Sequence, residues 1–194
     1  MDTACAILAG GRSLRMGRDK ATAQFQGTTL IKTVFDRVKT EFDDILIVSS
    51  MHGSFDGIDA PIVKDLFPIQ TPMAGIATAL LYANKPRVFV VACDMPLITG
   101  RAIRCLVDAP GNSDIVIPMV GEYYEPLHAV YSRFCLPHFL RLISLDRLKI
   151  SRVFPYVAMR VINDDPCFRN DHGDLVFTNI NTIEELERIN AGER

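Results

Sequence analysis

Neither sign of charge dominates this chain: 21 basic and 23 acidic residues leave a formal net charge of −2 and a pI near 6.1. A global positive field able to hold nucleic acid is thereby excluded. No apolar stretch approaches the ~18 to 20 residues that span a bilayer. The first apolar run follows Asp2 rather than a basic flank and is too short for a secretory signal. The five cysteines, Cys5, Cys93, Cys105, Cys135 and Cys167, lie far apart, with no C-x-x-C pair for zinc or thiol redox work and no disulfide framework. Repeats, low-complexity tracts and long charge runs are missing too. These absences lead us to expect a cytoplasmic, soluble protein in a reducing compartment, with no nucleic-acid or membrane partner.

What the chain has is apolar residues, 48% of 194, enough for one substantial core. Apolar, β-branched runs at 4–8, 45–49, 61–63, 88–93, 115–118 and 157–162 read as strands. Helical patterns fall at 29–42, 73–83, 101–108, 134–143 and 182–190. In the first of these, Leu30, Val34, Val38 and Phe42 share one face. The second is apolar nearly all round and predicts a buried helix. Near-continuous apolar strands alternating with helices predict a doubly wound, Rossmann-like α/β fold, with a mostly parallel sheet covered on both faces. No composition shift marks a linker, so residues 1–194 are expected to form a single domain. Ligands of such sheets bind beyond the carboxyl ends of the strands.

One loop stands at that edge. The first strand runs into LAGGRSLRMGRDKA, residues 8–21, where Gly10, Gly11 and Gly17 allow close backbone approach and Arg12, Arg15, Arg18 and Lys20 supply four cations within nine residues. Backbone donors plus side-chain cations are what a polyphosphate needs. The spacing excludes a Walker A loop, since Lys20 lies between Asp19 and Ala21, and it lacks the G-x-G-x-x-G dinucleotide pattern. A basic surface loop remains the plain structural alternative.

The second feature is the run Cys93-Asp94-Met95-Pro96-Leu97, which ends an apolar strand with a carboxylate before a proline-forced turn. A carboxylate there needs a cation or hydrogen bonds, and Mg²⁺ favours carboxylate oxygen while bridging substrate phosphates. A turn or helix-cap aspartate is the competing reading.

Together, L-A-G-G-x-S-x-R-M-G-x-D-K and C-D-M-P-L resemble the molybdenum cofactor guanylyltransferase family, which joins GMP from GTP onto the terminal phosphate of molybdopterin. The resemblance extends to Phe177-Thr178-Asn179-Ile180-Asn181-Thr182 and, less sharply, to most of the chain. It implies a nucleotidyltransferase of the nucleotide-diphospho-sugar transferase type. Leu8, Ala9, Gly10, Gly11, Lys20, Asp65, Gly75 and Asp94 would then bind nucleotide. Arg15, Lys20 and Asp94 would be catalytic, with Mg²⁺ on Asp94. His128, within Glu125-Pro126-Leu127-His128, and Asn179 and Asn181 would lie on the acceptor side. Packing is the alternative for His128, helix–sheet contact for Gly75, and turn stabilisation for Asn181. Thr182 with Glu185 three residues on reads as a helix capping box. Met51 departs from the family's asparagine beside the base, and the segment 145–153 lacks the family's glycine before its basic helix.

The implied chemistry needs no general base, because a phosphate nucleophile is already ionised; positioning and electrostatics suffice. The implied partners are GTP and molybdopterin, with transient contacts to other cofactor-biosynthesis proteins or acceptor apoenzymes. Two alternatives stand beside it: a related enzyme using CTP or a sugar phosphate, and a nucleotide- or cofactor-delivery protein without turnover. Gly10-Gly11 matches the family's L-A-G-G branch for GTP rather than L-A-A-G for CTP.

Overall fold

The computed structural model describes residues 2–10, 20–50, 55–180 and 182–190. In chain order the strands and helices are β1 (Thr3–Leu8), β2 (Gln24–Phe25), β3 (Thr28–Thr29), α1 (Leu30–Val38), β4 (Ile45–Ser49), β5 (Ile62–Lys64), α2 (Pro72–Tyr82), β6 (Arg87–Ala92), α3 (Gly100–Val107), β7 (Ile115–Val120), β8 (Tyr123–Tyr124), β9 (His128–Ser132), α4 (Leu136–Ser144), β10 (Met159–Asn163) and α5 (Ile183–Asn190). The main sheet runs β10-β7-β9-β6-β1-β4-β5, with β8 paired to β7. β1 pairs in parallel with β4 and β6, as do β4 with β5 and β7 with β10. β9 is antiparallel to both β6 and β7, so the mostly parallel sheet is mixed on one side. Among the described residues no helix is long and apolar enough to cross a membrane.

Strand alternation divides the core. Cys5, Ile7, Phe89 and Val91 join Ile31, Val34 and Val38 of α1 and Ala102, Ile103 and Leu106 of α3 on one face. Ala4, Ala6, Leu8, Val88 and Val90 meet α2 and α4 on the other. Both faces of β1 are buried, which is why its sequence reads as a continuous apolar run. The missing side chain of Gly75 lets α2 lie close to β1: a Cβ there would come 3.2 Å from Leu8 Cδ1. A third cluster, Phe25, Leu30, Ile180 and Leu186, joins the β2–β3 hairpin and the start of α1 to the C-terminal segment.

Element ends differ from expectation by a few residues. α1 stops at Val38 rather than Phe42; its N-cap is Thr29, whose side chain accepts from Lys32 N, and Thr40 Oγ1 bonds back to Arg37 O beyond the last turn. Phe42 is buried all the same, stacked on Phe89 with ring centroids 5.5 Å apart. α4 starts at Leu136, after a single 3₁₀ turn over Arg133–Cys135.

Candidate active site

Chain order and sheet order diverge at one point. From β1 the chain proceeds outward to β4 and β5, then returns to the opposite side of β1 as β6. The crevice beyond the carboxyl ends of β1 and β6 is therefore the topological switch point, where open α/β sheets bind ligands. Ala9 and Gly10 leave β1 there, with Ala9 N bonded to Val48 O at 2.8 Å and Ala9 O accepting from Ser49 Oγ at 3.3 Å. Cys93 N donates to Leu8 O, carrying the ladder one residue past β6, and Asp94 follows in the turn.

Lys20 and Asp94, 74 residues apart, meet in this crevice as an ion pair through Asp94 Oδ2. Both side chains are largely shielded, at 15% and 17% exposure. Lys20 stands on a 3₁₀ turn, Lys20–Thr22, held by buried Ala21 and by the hairpin that follows. In that hairpin Gln26 and Gly27 both take positive φ, 47° and 85°, as a two-residue turn between twisted strands requires. Leu30 N then bonds to Ala23 O. From the other side, Arg37 of α1 donates to Ile98 O at 2.8 Å, tying down the loop after Asp94. Burial lowers the Arg37 pKa from its ordinary value.

The remaining carboxylate oxygen decides what the site can hold. Asp94 Oδ1 is buried and has no hydrogen-bond partner among the described residues. Leaving such an atom unpaired costs about 1–3 kcal/mol, more for a charged group. A carboxylate with one oxygen on a lysine and the other open suits an oxygen-seeking divalent cation, and Mg²⁺ fits this donor chemistry.

The C-terminal segment completes the edge. Ile180 N donates to Asp94 O at 3.0 Å, so half-buried Asn179 sits immediately beside the Asp94 turn. Thr182 and Glu185 form the expected reciprocal cap, Thr182 N to Glu185 Oε2 and Glu185 N to Thr182 Oγ1, both at 3.1 Å. Sequence reasoning passed over the carboxyl of Glu125, half-buried in the loop entering β9 at the same edge; burial raises its pKa above the usual value. The resemblance takes in the segment Glu125-Pro126-Leu127-His128 but gives Glu125 itself no role.

The other expected residues divide. At Gly10 an added Cβ would approach only Ser50 N, at 4.0 Å, so packing does not demand glycine there. Gly75 is the opposite case, fixed by its contact with Leu8, whose own side chain lies in the core beneath α2. Asp65 ends β5 near the crevice, but its Oδ1 accepts from Thr78 Oγ1 at 2.9 Å and Phe67 N at 3.2 Å, a bracing role between β5 and α2. His128 has no accessible surface; its ring lies 5.0 Å from Phe89 and 4.9 Å from Phe177, and neither ring nitrogen has a partner. Burial lowers its pKa to about 3, so the ring is neutral. A contact from His128 to an acceptor would require those aromatics to move. Gly11, Arg15 and Asn181, with Met51, lie outside the described residues.

A lysine and a half-satisfied aspartate meeting at the switch point of a doubly wound sheet, where Gly10 leaves β1, fit an α/β protein of the nucleotidyltransferase class. Over residues 5–155 the sequence matches the MobA-like NTP transferase domain, and the chain belongs to that family. A molybdenum cofactor guanylyltransferase of Desulfosudis oleivorans is 36% identical over 187 residues, covering 95% of this chain and 93% of that protein. A probable molybdenum cofactor guanylyltransferase of Natranaerobius thermophilus is 32% identical, covering 94% and 92%. In fold, the chain is similar to molybdopterin-guanine dinucleotide biosynthesis protein A of Archaeoglobus fulgidus, with a TM-score of 0.82 at 24% identity and 96% of both chains covered. It is also similar to 2-C-methyl-D-erythritol 4-phosphate cytidylyltransferase of Thermus thermophilus, with a TM-score of 0.72 at 16% identity and 98% of both chains covered.

Proposed function

We propose that this chain transfers GMP from GTP to the terminal phosphate of molybdopterin, forming molybdopterin guanine dinucleotide and pyrophosphate. The observation that carries the reading is the meeting of Lys20 and Asp94 at the switch point, with Asp94 Oδ1 buried and without a hydrogen-bond partner among the described residues. The names of the relatives support the choice of substrates. The two cytidylyl- and guanylyl-type folds above share the sheet, so the base is assigned from Gly10-Gly11 and from those relatives.

In the reaction an acceptor phosphate oxygen attacks the α-phosphorus of GTP in line, and the bond to the oxygen of the leaving pyrophosphate breaks. Mg²⁺ held by Asp94 would supply positive charge to the α-phosphate and to the attacking oxygen. Lys20 exchanges the Asp94 carboxylate for phosphate oxygens as the triphosphate enters, and follows the charge that builds on the leaving group. The backbone around Ala9, Gly10 and Gly11 would approach the phosphates, with Arg15 adding charge, while Asp65 and Gly75 act indirectly, bracing β5, α2 and β1 behind the nucleotide side. Asn179, beside the Asp94 turn, faces the acceptor side with Asn181; His128 stiffens that wall from within. Residues 1–194 act as one domain, in the cytoplasm, with contacts to cofactor-biosynthesis proteins or acceptor apoenzymes at handover.

Pyrophosphate release tests the proposal directly. The purified chain with Mg²⁺ and GTP should release pyrophosphate only when molybdopterin is added, and CTP should be the poorer donor. Preference for CTP would move the chain to the cytidylyl branch. Tight GTP binding without pyrophosphate release under any acceptor would make it a delivery protein.

A further inference from the structure

Cysteine spacing argues against a metal site, yet the fold brings two of the thiols together. Cys105 lies on α3, and Cys167 lies in the 3₁₀ turn Pro166–Phe168 that packs against that helix. With Asp165 they offer one ligand atom each, all within 4.8 Å of one another. We propose that Cys105, Asp165 and Cys167 bind one thiophilic divalent cation of the Zn²⁺ type, which pins this turn to α3.

The geometry is close to what such an ion needs. Metal–sulfur bonds of about 2.3 Å and metal–oxygen bonds of about 2.0–2.2 Å in a tetrahedron leave ligand atoms roughly 3.5–3.8 Å apart. From within 4.8 Å of one another, the three ligand atoms would draw in by up to about 1 Å on binding. The carboxylate is held in place, because Asp165 Oδ1 accepts from Cys167 N at 2.8 Å and so anchors the turn. Cys167 is buried while Cys105 and Asp165 are half-buried, so an ion would be gripped from below and keep a fourth position open to water. Two sulfurs and one carboxylate select a thiophilic ion over Mg²⁺ or Ca²⁺. Binding releases the two thiol protons to solvent and leaves two thiolates on the ion, with no change of oxidation state.

The location gives the site a consequence. α3 begins shortly after Asp94, and the 166–168 turn leads through Phe168, in contact with Phe177 at 5.1 Å, to the segment whose Ile180 N bonds Asp94 O. An ion at this point ties together two supports of the crevice without entering it.

The test uses the full chain, reduced, freed of metal with a chelator and titrated anaerobically with Co²⁺ alone. One ion per chain should bind with a thiolate-to-cobalt charge-transfer absorption, and added Zn²⁺ should abolish that absorption. Cys105→Ser and Cys167→Ser should each remove the band, and Asp165→Asn should weaken binding by about 10-fold or more. Asp94→Ala should leave the band intact, since a carboxylate site gives no thiolate absorption; failure of guanylyl transfer and failure of this site are thus separately visible. If buried Cys167 does not tolerate serine, the half-exposed Cys105→Ser variant decides. No charge-transfer band, a band that survives Cys105→Ser, or a thiol pair that only forms a disulfide would each overturn the proposal.

Discussion

Removing the Asp94 side chain should uncouple activity from stability. Asp94→Ala gives up the ion pair with Lys20, a charged hydrogen bond worth about 1.5–3 kcal/mol where shielded and less where water reaches it. It also removes Oδ1, a buried acceptor without a partner whose burial costs about 1–3 kcal/mol. The two terms oppose each other and leave a net change within about 2 kcal/mol. The turn itself is held by backbone groups that the substitution spares: Ile180 N to Asp94 O and Met95 N to Ala92 O. For a chain of 194 residues that net change moves Tm by no more than about 4–8 °C. Transfer should nonetheless fall at least 10²- to 10³-fold, about 2.7–4 kcal/mol of transition-state stabilisation. The assay is pyrophosphate release at saturating GTP, molybdopterin and Mg²⁺, run beside a thermal melt. A variant melting 10 °C or more below the parent would make Asp94 a structural turn residue. Near-normal transfer would remove it from the metal role altogether.

The two glycines assigned to the nucleotide should respond in opposite ways. Gly75→Ala places a Cβ 3.2 Å from Leu8 Cδ1 and should destabilise by about 1–3 kcal/mol with GTP affinity preserved, read by melts and calorimetry. Gly10→Ala has room in the protein and should leave Tm unchanged while weakening GTP binding; unaltered affinity would refute close backbone approach there. Lys20→Ala should weaken GTP binding in calorimetry, with no compensating loss of fold. His128 predicts a pH dependence: with its pKa near 3 when folded and about 6.5 when unfolded, the unfolded chain binds more protons between those values. Stability therefore falls by about 1.4 kcal/mol per pH unit from this residue as pH drops below about 6.5, with no effect above it. His128→Leu should flatten that slope in acid denaturation and should be no less stable at pH 8; equal slopes in the two proteins would contradict a buried neutral ring.

Long parallel elements were legible because their physics is local. β4 coincides with the expected 45–49 run, and β1 and β6 lie within one residue of theirs, since strands buried on both faces need unbroken apolar sequence. β2 and β3, two residues each, are too short to show any period, and their turn uses Gln26-Gly27 rather than the stronger Asn-Gly signal. The reversed direction of β9 could not be read either. Its residues His128 to Ser132 are buried on both faces like those of the parallel strands, and direction follows only from which neighbours accept its hydrogen bonds.

Site chemistry was legible to a different depth. Asp65 and Asp94 look alike in the sequence, each a carboxylate ending an apolar strand. Thr78, thirteen residues along on α2, occupies Asp65 Oδ1, whereas Asp94 Oδ1 has no partner among the described residues and Oδ2 is lent to Lys20. The difference lies in the partner each strand end meets in the fold, so only tertiary structure separates a satisfied carboxylate from one with an oxygen left unpartnered. The same holds for the thiols. Cys105 and Cys167 match no metal spacing because a helix and a distant turn supply them, and a motif search sees only ligands that share one segment. The hairpin makes the converse point. Phe25 carries no chemistry, yet with Leu30, Ile180 and Leu186 it forms a small core that joins the hairpin after the Lys20 turn to the segment bonded to Asp94. A buried phenylalanine remote from the phosphates thus sets the geometry of both charged groups, and truncating it should loosen the crevice from two sides at once.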